Sequence, residues 1–363
     1  MAATLPALPV EIWHQIFDEV LDDLAMQTSC NTNDFHRFID AVGTKSELEV
    51  KARRGKLAAV CQSWRAVAES FAYRSLTVLQ GTPLEPTFVP LSSVRRLRLW
   101  RYRAADFSAE DLDTWCSWIR ASQGLDVLEV DMGNYYCPAD ALKSILACAK
   151  SVKTLRSLRL HWHSSAYLSL TDISRSYFGI TTLELGRLLP SDGPLSLPNL
   201  RVLIIGIYKP LSTSWDYPKW KLPCLQFLKV VLHNGWGVTP FDLGVFQPFA
   251  SHLMALHLTF PMWGQVGFQP PVLPFDLNHF PSLQDLTLCS IPLLISAPLD
   301  AHHPLRTIHV EKVPGLPLKK WKTLIKWDDW SLSNPCEPTD DTLIISPCSD
   351  LTALAIPINV IDT

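Results

Sequence analysis

VRRLRL at residues 94–99 sets a phrase that LDVLEV repeats at 125–130, LRSLRL at 155–160, ITTLEL at 180–185 and LRVLII at 200–205. LQFLKV at 225–230, LMALHL at 253–258, LQDLTL at 283–288 and LRTIHV at 305–310 continue it, and LTALAI from Leu351 offers a tenth copy. Each copy reads as an apolar residue, two variable ones, Leu or Ile, one variable, then Leu or a β-branched residue. Successive starts of the first nine lie 20 to 31 residues apart. The alternation is that of a short strand whose fourth and sixth residues enter a shared core while the third, fifth and seventh point away. One such strand cannot bury its face alone, so the copies are expected to stack into a parallel sheet with a continuous Leu ladder.

The segments between early copies offer helices to cover that core. Ser108 and Asp111 stand at capping-box spacing, ahead of Leu112, Trp115 and Ile119 at helical spacing. Pro138 suits a first helical turn, before Leu142, Ile145, Leu146 and Ala149. Of the 28 prolines, 22 lie beyond residue 186, so later units are expected to return through irregular or extended segments.

Over residues 94–310 the chain resembles leucine-rich-repeat proteins, whose period of 20–29 residues brackets the mean step of about 26. The Asn that family carries three positions after the last Leu of the phrase is missing; Tyr102, Gly133, His163, Leu188, Tyr208, His233, Pro261, Ile291 and Val313 stand there. An ordinary parallel-sheet α/β protein with Leu-rich strands is the alternative.

If the strand phase holds, the outward residues line the recognition face of the solenoid. The first units present Arg96, Arg98 and Trp100, then Glu129 and Asp131, then Arg159 and His161. The middle units present Val202, Ile204, Phe227 and Val231, an apolar patch. Arg98, Trp100, Arg159, Ile204, Phe227 and Val231 are therefore the expected substrate-binding residues, since Arg and aromatic anchors dominate such contacts. A Trp- and Pro-rich loop at 215–220 or 236–241 folding over the patch would bury it instead. The tail from Leu318 carries Trp321, Leu324, Ile325 and Trp327 in an expected short helix, then a polar linker and two apolar segments that would cap the open end.

Residues 1–78 are of another kind. LPALPVEI at 5–12 opens a segment with Ile12, Ile16 and Val20 four apart, beside Phe17 and Leu21, so one helix face is apolar. Pro9 is placed to start that helix. Leu57, Val60, Cys61, Trp64, Val67, Ala68 and Phe71 predict a further helix of four turns. So few helices bury little core, and part of their apolar surface is expected to meet a partner or the repeats.

The start LPxLPxEIxxxIFxxV, followed by LxxVCxxWRxVA, resembles an F-box over residues 5–24 and 57–71. In that family the motif binds the adaptor subunit of cullin-RING ubiquitin ligases, and the C-terminal domain selects the substrate. The resemblance implies adaptor-facing roles for Leu8, Pro9, Ile12 and Ile16, and for Val60, Cys61 and Trp64 in the second half. An insert of 32 residues, 25–56, separates the two halves, expected as a loop plus a helical turn at 35–42.

Composition bounds the rest. Hydrophobic residues make up 47% of 363 and charged ones 18%, enough for a large core. The net charge of -3 lacks the basic excess of nucleic-acid binders. The first residues do not read as a secretory signal, and no apolar run reaches the ~18 residues of a membrane span, so neither nucleic acid nor membrane is an expected partner. The nine cysteines show no C-x-x-C pair and read as mostly buried thiols of a cytoplasmic or nuclear protein. No phosphate loop, nucleophile elbow or zinc-protease motif is present. His161 and His163 share a strand face without a recurring third ligand. No catalytic residue, metal site or cofactor is expected.

The expected architecture is α/β: an N-terminal helical F-box over 1–78, an irregular leucine-rich-repeat-like solenoid with a parallel sheet over 79–317, and a C-terminal cap over 318–363. The expected function is that of a substrate-recognition subunit of an SCF-type cullin-RING E3 ubiquitin ligase. A non-catalytic interaction scaffold without a ligase role is the alternative.

Overall fold

A computed structural model describes residues 9, 12–13, 16–17, 44–71, 73–81, 91–101, 107–133, 139–162, 169–188, 194–207, 220–232, 246–259, 273–289, 293–296, 303–305, 307–311, 325–328, 330–331, 342–347 and 356–361. The helices α1 (Thr44–Ala58) and α2 (Gln62–Ser70) lead into the first strand, β1 (Ser75–Leu79). Then β2 (Arg96–Trp100), α3 (Ala109–Ala121), β3 (Val127–Asp131), α4 (Ala139–Ala149), β4 (Ser157–His161), α5 (Leu170–Ser176) and β5 (Thr182–Leu188) alternate. The chain continues through β6 (Val202–Ile207), β7 (Phe227–Leu232), the single turn α6 (Gln247–Ala250) and β8 (Ala255–Thr259). All nine copies of the phrase begin two residues before a strand, because the first residue of each turns inward ahead of the pleat. Val94, Leu125, Leu155, Ile180, Leu200, Leu225, Leu253, Leu283 and Leu305 are all buried.

The strands pair in parallel and in sequence order from β1 to β8, and then with β10 (Asp285–Cys289) and β12 (Thr307–Glu311). This is an α/β parallel sheet built by repetition. Leu97, Leu99, Leu128, Val130, Leu158, Leu160, Leu183 and Leu185 lie on one face, in one core with Trp115, Ile119, Leu142, Ile145 and Ile173 of α3 to α5. The capping box is formed: the Ser108 hydroxyl accepts from the Asp111 N–H at 3.0 Å, and Asp111 Oδ2 accepts from the Ser108 N–H at 3.0 Å. Asp111 also accepts from Gln80 Nε2 at 3.2 Å and the Gly81 N–H at 3.0 Å, tying the start of α3 to the end of β1. Gly81 sits at φ 75°, left-handed backbone that glycine adopts without strain.

Register is locked by a backbone device that recurs at the first eight copies. The Arg74 carbonyl accepts from both the Arg95 and Arg96 N–H at 2.8 Å. The carbonyl of Arg95 accepts from Asp126 and Val127, and that of Asp126 from Arg156 and Ser157. Arg156, Thr181, Arg201, Gln226 and Met254 continue the series, each carbonyl receiving two N–H groups from the next unit. These paired acceptors bind unit to unit without any contribution from an Asn ladder.

From β8 onward, extended segments replace the covering helices, as the proline distribution predicts. β9 (Leu273–Asp276), β11 (Leu293–Ser296) and β13 (Ile325–Asp328) pair in parallel as a second column. Earlier connections already approach this state where Ser196 bridges Lys221. The expected helix around Trp321–Trp327 is corrected: Ile325 and Trp327 lie in β13, whose neighbour β11 supplies the backbone partners a short isolated helix would lack. β14 (Trp330–Ser331), β15 (Thr342–Pro347) and β16 (Ile356–Ile361) run from β13 back to β12, β16 pairing parallel to β12 and antiparallel to β15. The tenth copy of the phrase, at 351–356, falls almost wholly outside the described residues.

The four-turn helix expected from Leu57 to Phe71 is two helices. Cys61, in extended backbone at φ -161° and ψ 171°, caps α2 by accepting from the Trp64 N–H at 3.5 Å. Most of α1 lies inside the insert, where only a loop and one turn at 35–42 are expected from sequence; that turn lies outside the described residues.

Candidate protein-interaction surfaces

The helical end builds a small core of its own. Residues 12, 13, 16 and 17 are helical, and the Pro9 carbonyl accepts from the N–H of Ile12 at 3.0 Å and Trp13 at 3.3 Å. Phe17, Ala68 and Phe71 are buried together, with Trp13, Leu57, Trp64 and Val67 packed against them. Trp64 sets its ring 5.3 Å from Trp13 and 5.4 Å, edge-on, from Phe17, separations at which aromatic pairs attract.

That core leaves other apolar residues outside. Five large hydrophobic side chains are exposed among the described residues: Ile12 at 38%, Ile16 at 36%, Val60 at 57%, Tyr73 and Phe178. Three of the five are motif positions. Ile12 and Ile16, one turn apart, share a helix face, while Val60 stands in the turn between α1 and α2. Pro9 is also exposed, Cys61 and Trp64 are half-buried, and Leu8 lies outside the described residues.

The sheet face opposite the connecting helices differs from its expectation. Arg98, Arg159, Ile204 and Phe227 are buried, and only Trp100 and Val231 among the expected substrate contacts are half-exposed. The charged end of the face is self-paired. Register sets Arg98 beside Glu129, Glu129 beside Arg159 and Arg159 beside Glu184, so charge alternates across four strands. Glu129 meets Arg96 Nη2 at 2.8 Å and Arg98 Nε at 3.0 Å; Arg98 reaches Asp131 at 3.4 Å, and Glu184 receives His161 at 3.4 Å. Burial pushes the Glu129 carboxyl up, but the guanidiniums of Arg96 and Arg98 outweigh it and hold the group below its ordinary value of 4.5.

The apolar middle is closed as well. Val202, Ile204, Phe227 and Ala255 form a second buried cluster, separate from the main core. Of the two loops considered as covers, Trp220 is buried in the main core instead; the remainder of both lies outside the described residues. The open apolar patch expected at Ile204 and Phe227 is therefore corrected to packed interior. The signal for the paired ladder stood in the sequence, since the fifth position of four successive copies reads Arg, Glu, Arg, Glu.

His161 faces Glu184, and His163 lies outside the described residues. Cys116 and Cys148 are buried thiols between α3 and α4, with Cys116 pushed up to about 12 by burial and by its neighbour Cys148. Cys224 departs from the expected burial and is exposed. It lies at an edge groove of about 420 Å³, with Arg201 and His252, along the line where successive strands begin. No described helix is long and apolar enough to cross a membrane.

No protein-family model matches the chain, and no curated protein matches it. Among solved structures, a Bacteroides fragilis protein is similar at 16% identity and a TM-score of 0.33, over 77% of this chain and 82% of that one. An internalin from Listeria monocytogenes is similar at 12% identity and a TM-score of 0.30, over 91% and 95% of the two chains.

Proposed function

We propose that the chain is a non-catalytic substrate receptor of an SCF-type cullin-RING ubiquitin ligase, docking the adaptor through its helical end and a target protein through its repeats. The carrying observation is the exposure of Ile12, Ile16 and Val60 beside a buried Phe17. A local core that leaves chosen apolar positions partly in water is suited to a partner's surface, where the exposed part of each such side chain gains roughly 25 cal/mol per Å² removed from water. Leu8, Pro9, Cys61 and Trp64 complete the docking set by resemblance to the F-box. Catalysis would belong to the assembled ligase; the receptor contributes effective concentration and orientation of the target. No cofactor or metal enters this role.

The test is co-expression of the full chain with the ligase adaptor. A stoichiometric complex is expected with the parent chain and is expected to be lost when Ile12 and Ile16 are both replaced by Asp, with the thermal unfolding of the repeats unchanged. Retention of the complex by the double variant sinks the assigned face. Absence of any complex from a well-folded parent chain favours an interaction scaffold without a ligase role.

A further inference from the structure

Internal repetition supplies a comparison within one molecule. Four copies of the phrase carry Arg at the second position, Arg95, Arg156, Arg201 and Arg306, the last of which lies outside the described residues. Two of them are used up by the next unit: Arg95 Nη1 donates to the Gly124 carbonyl and Arg156 Nη1 to the Gly179 carbonyl, both at 3.1 Å. In each case a glycine precedes the next copy. At the third, Cys224 stands where those glycines do, and among the described residues the exposed Arg201 guanidinium has no hydrogen bond or ion pair. The groove opens there. Gln226 and Gln284 bring side-chain amides to it, His252 an imidazole and Ser282 a hydroxyl, and no carboxylate lines it.

We propose that this groove binds an oxyanion, the carboxylate or phosphate of a target protein's side chain, with the Arg201 guanidinium as its principal contact. A guanidinium offers a planar fork of N–H groups that matches either oxyanion in bidentate fashion. The Gln amides and the His252 ring stand around it as further donors. Because the sheet face is paired internally, this edge holds a cation that no described residue matches. The assignment rests on the reading of the repeats as a target-binding domain and is independent of the adaptor contact.

Cys224 makes the groove its own reporter. The full chain is alkylated with iodoacetamide, and modification of the Cys224 peptide is followed by mass spectrometry with inorganic phosphate, acetate or sodium chloride at matched ionic strength. Phosphate is expected to slow alkylation about threefold, the factor 1 + [L]/Kd at twice the dissociation constant, and Arg201→Gln to remove that protection. Arg95→Gln, which alters an equivalent arginine that does not line this groove, is expected to keep it. Protection by acetate as well assigns a carboxylate-bearing side chain among the ligands; protection by phosphate alone assigns a phosphorylated one. No protection by either anion, or the same protection in Arg201→Gln, overturns the site. Adaptor co-purification reads the other end of the molecule, so failure of one proposal is distinguishable from failure of the other.

Discussion

Glu129 is a buried carboxylate with both oxygens engaged by guanidiniums and 1% of its surface in water. Replacing it with Gln removes the carboxylate charge that the buried Arg96 and Arg98 share, a loss of roughly 3–5 kcal/mol when a buried pair is broken. The folded carboxyl titrates below its ordinary value, so its contribution is present above the ordinary carboxylate range and disappears as pH falls through the depressed folded value. Urea unfolding midpoints of the parent and Glu129→Gln are therefore expected to differ widely at pH 7 and to converge as pH falls below the ordinary carboxylate value. Phe227 gives a second test, since a ring in the closed cluster with Val202 and Ile204 costs about 3–5 kcal/mol when cut to Ala. The same measurement at neutral pH checks it. At this scale the direction of each side chain was legible and its environment was not. Period-two alternation says which way Arg98 or Phe227 points, whereas burial depends on rows only ~4.8 Å apart matching their charges and shapes with neighbours about 26 residues away.

Among the elements, the strands were legible and the helical end was only partly so. Each of the nine phrases marks a strand because two Leu positions at fixed spacing have a single use in a sheet. The break between α1 and α2 was concealed by its own periodicity. Leu57, Val60, Cys61 and Trp64 keep helical spacing across a short turn, and the cap is a cysteine rather than one of the oxygen-bearing residues that usually mark a start. α3 carries the conventional signal and a testable consequence. Ser108→Ala is expected to cost about 1 kcal/mol, the usual worth of an N-cap. Asp111→Ala is expected to cost more, because it also releases Gln80 and Gly81 at the end of β1. Chemical denaturation of the two variants side by side checks the order.

For the whole molecule, the proline count announced the change from helical to extended backing, but not that extended returns would pair into a second column. β1 and β16 were also unannounced, because SLTVL and IPINVI lack the phrase and gain strand structure from neighbours already in place. The terminal strands matter for solubility, since an unpaired strand edge is a template for association. A chain ending after Glu311 removes β13 to β16 and bares the outer edge of β12; light scattering is expected to show it associating where the full chain does not. The paired carbonyl acceptors have a mechanical consequence. Each unit is fastened to its neighbour by the same short set of bonds, and units follow one another along the chain, so tension on the two ends loads those fastenings in series. Force spectroscopy should see the stack peel in steps, each freeing one repeat of about 26 residues and lengthening the chain by up to ~90 Å at ~3.5 Å per residue.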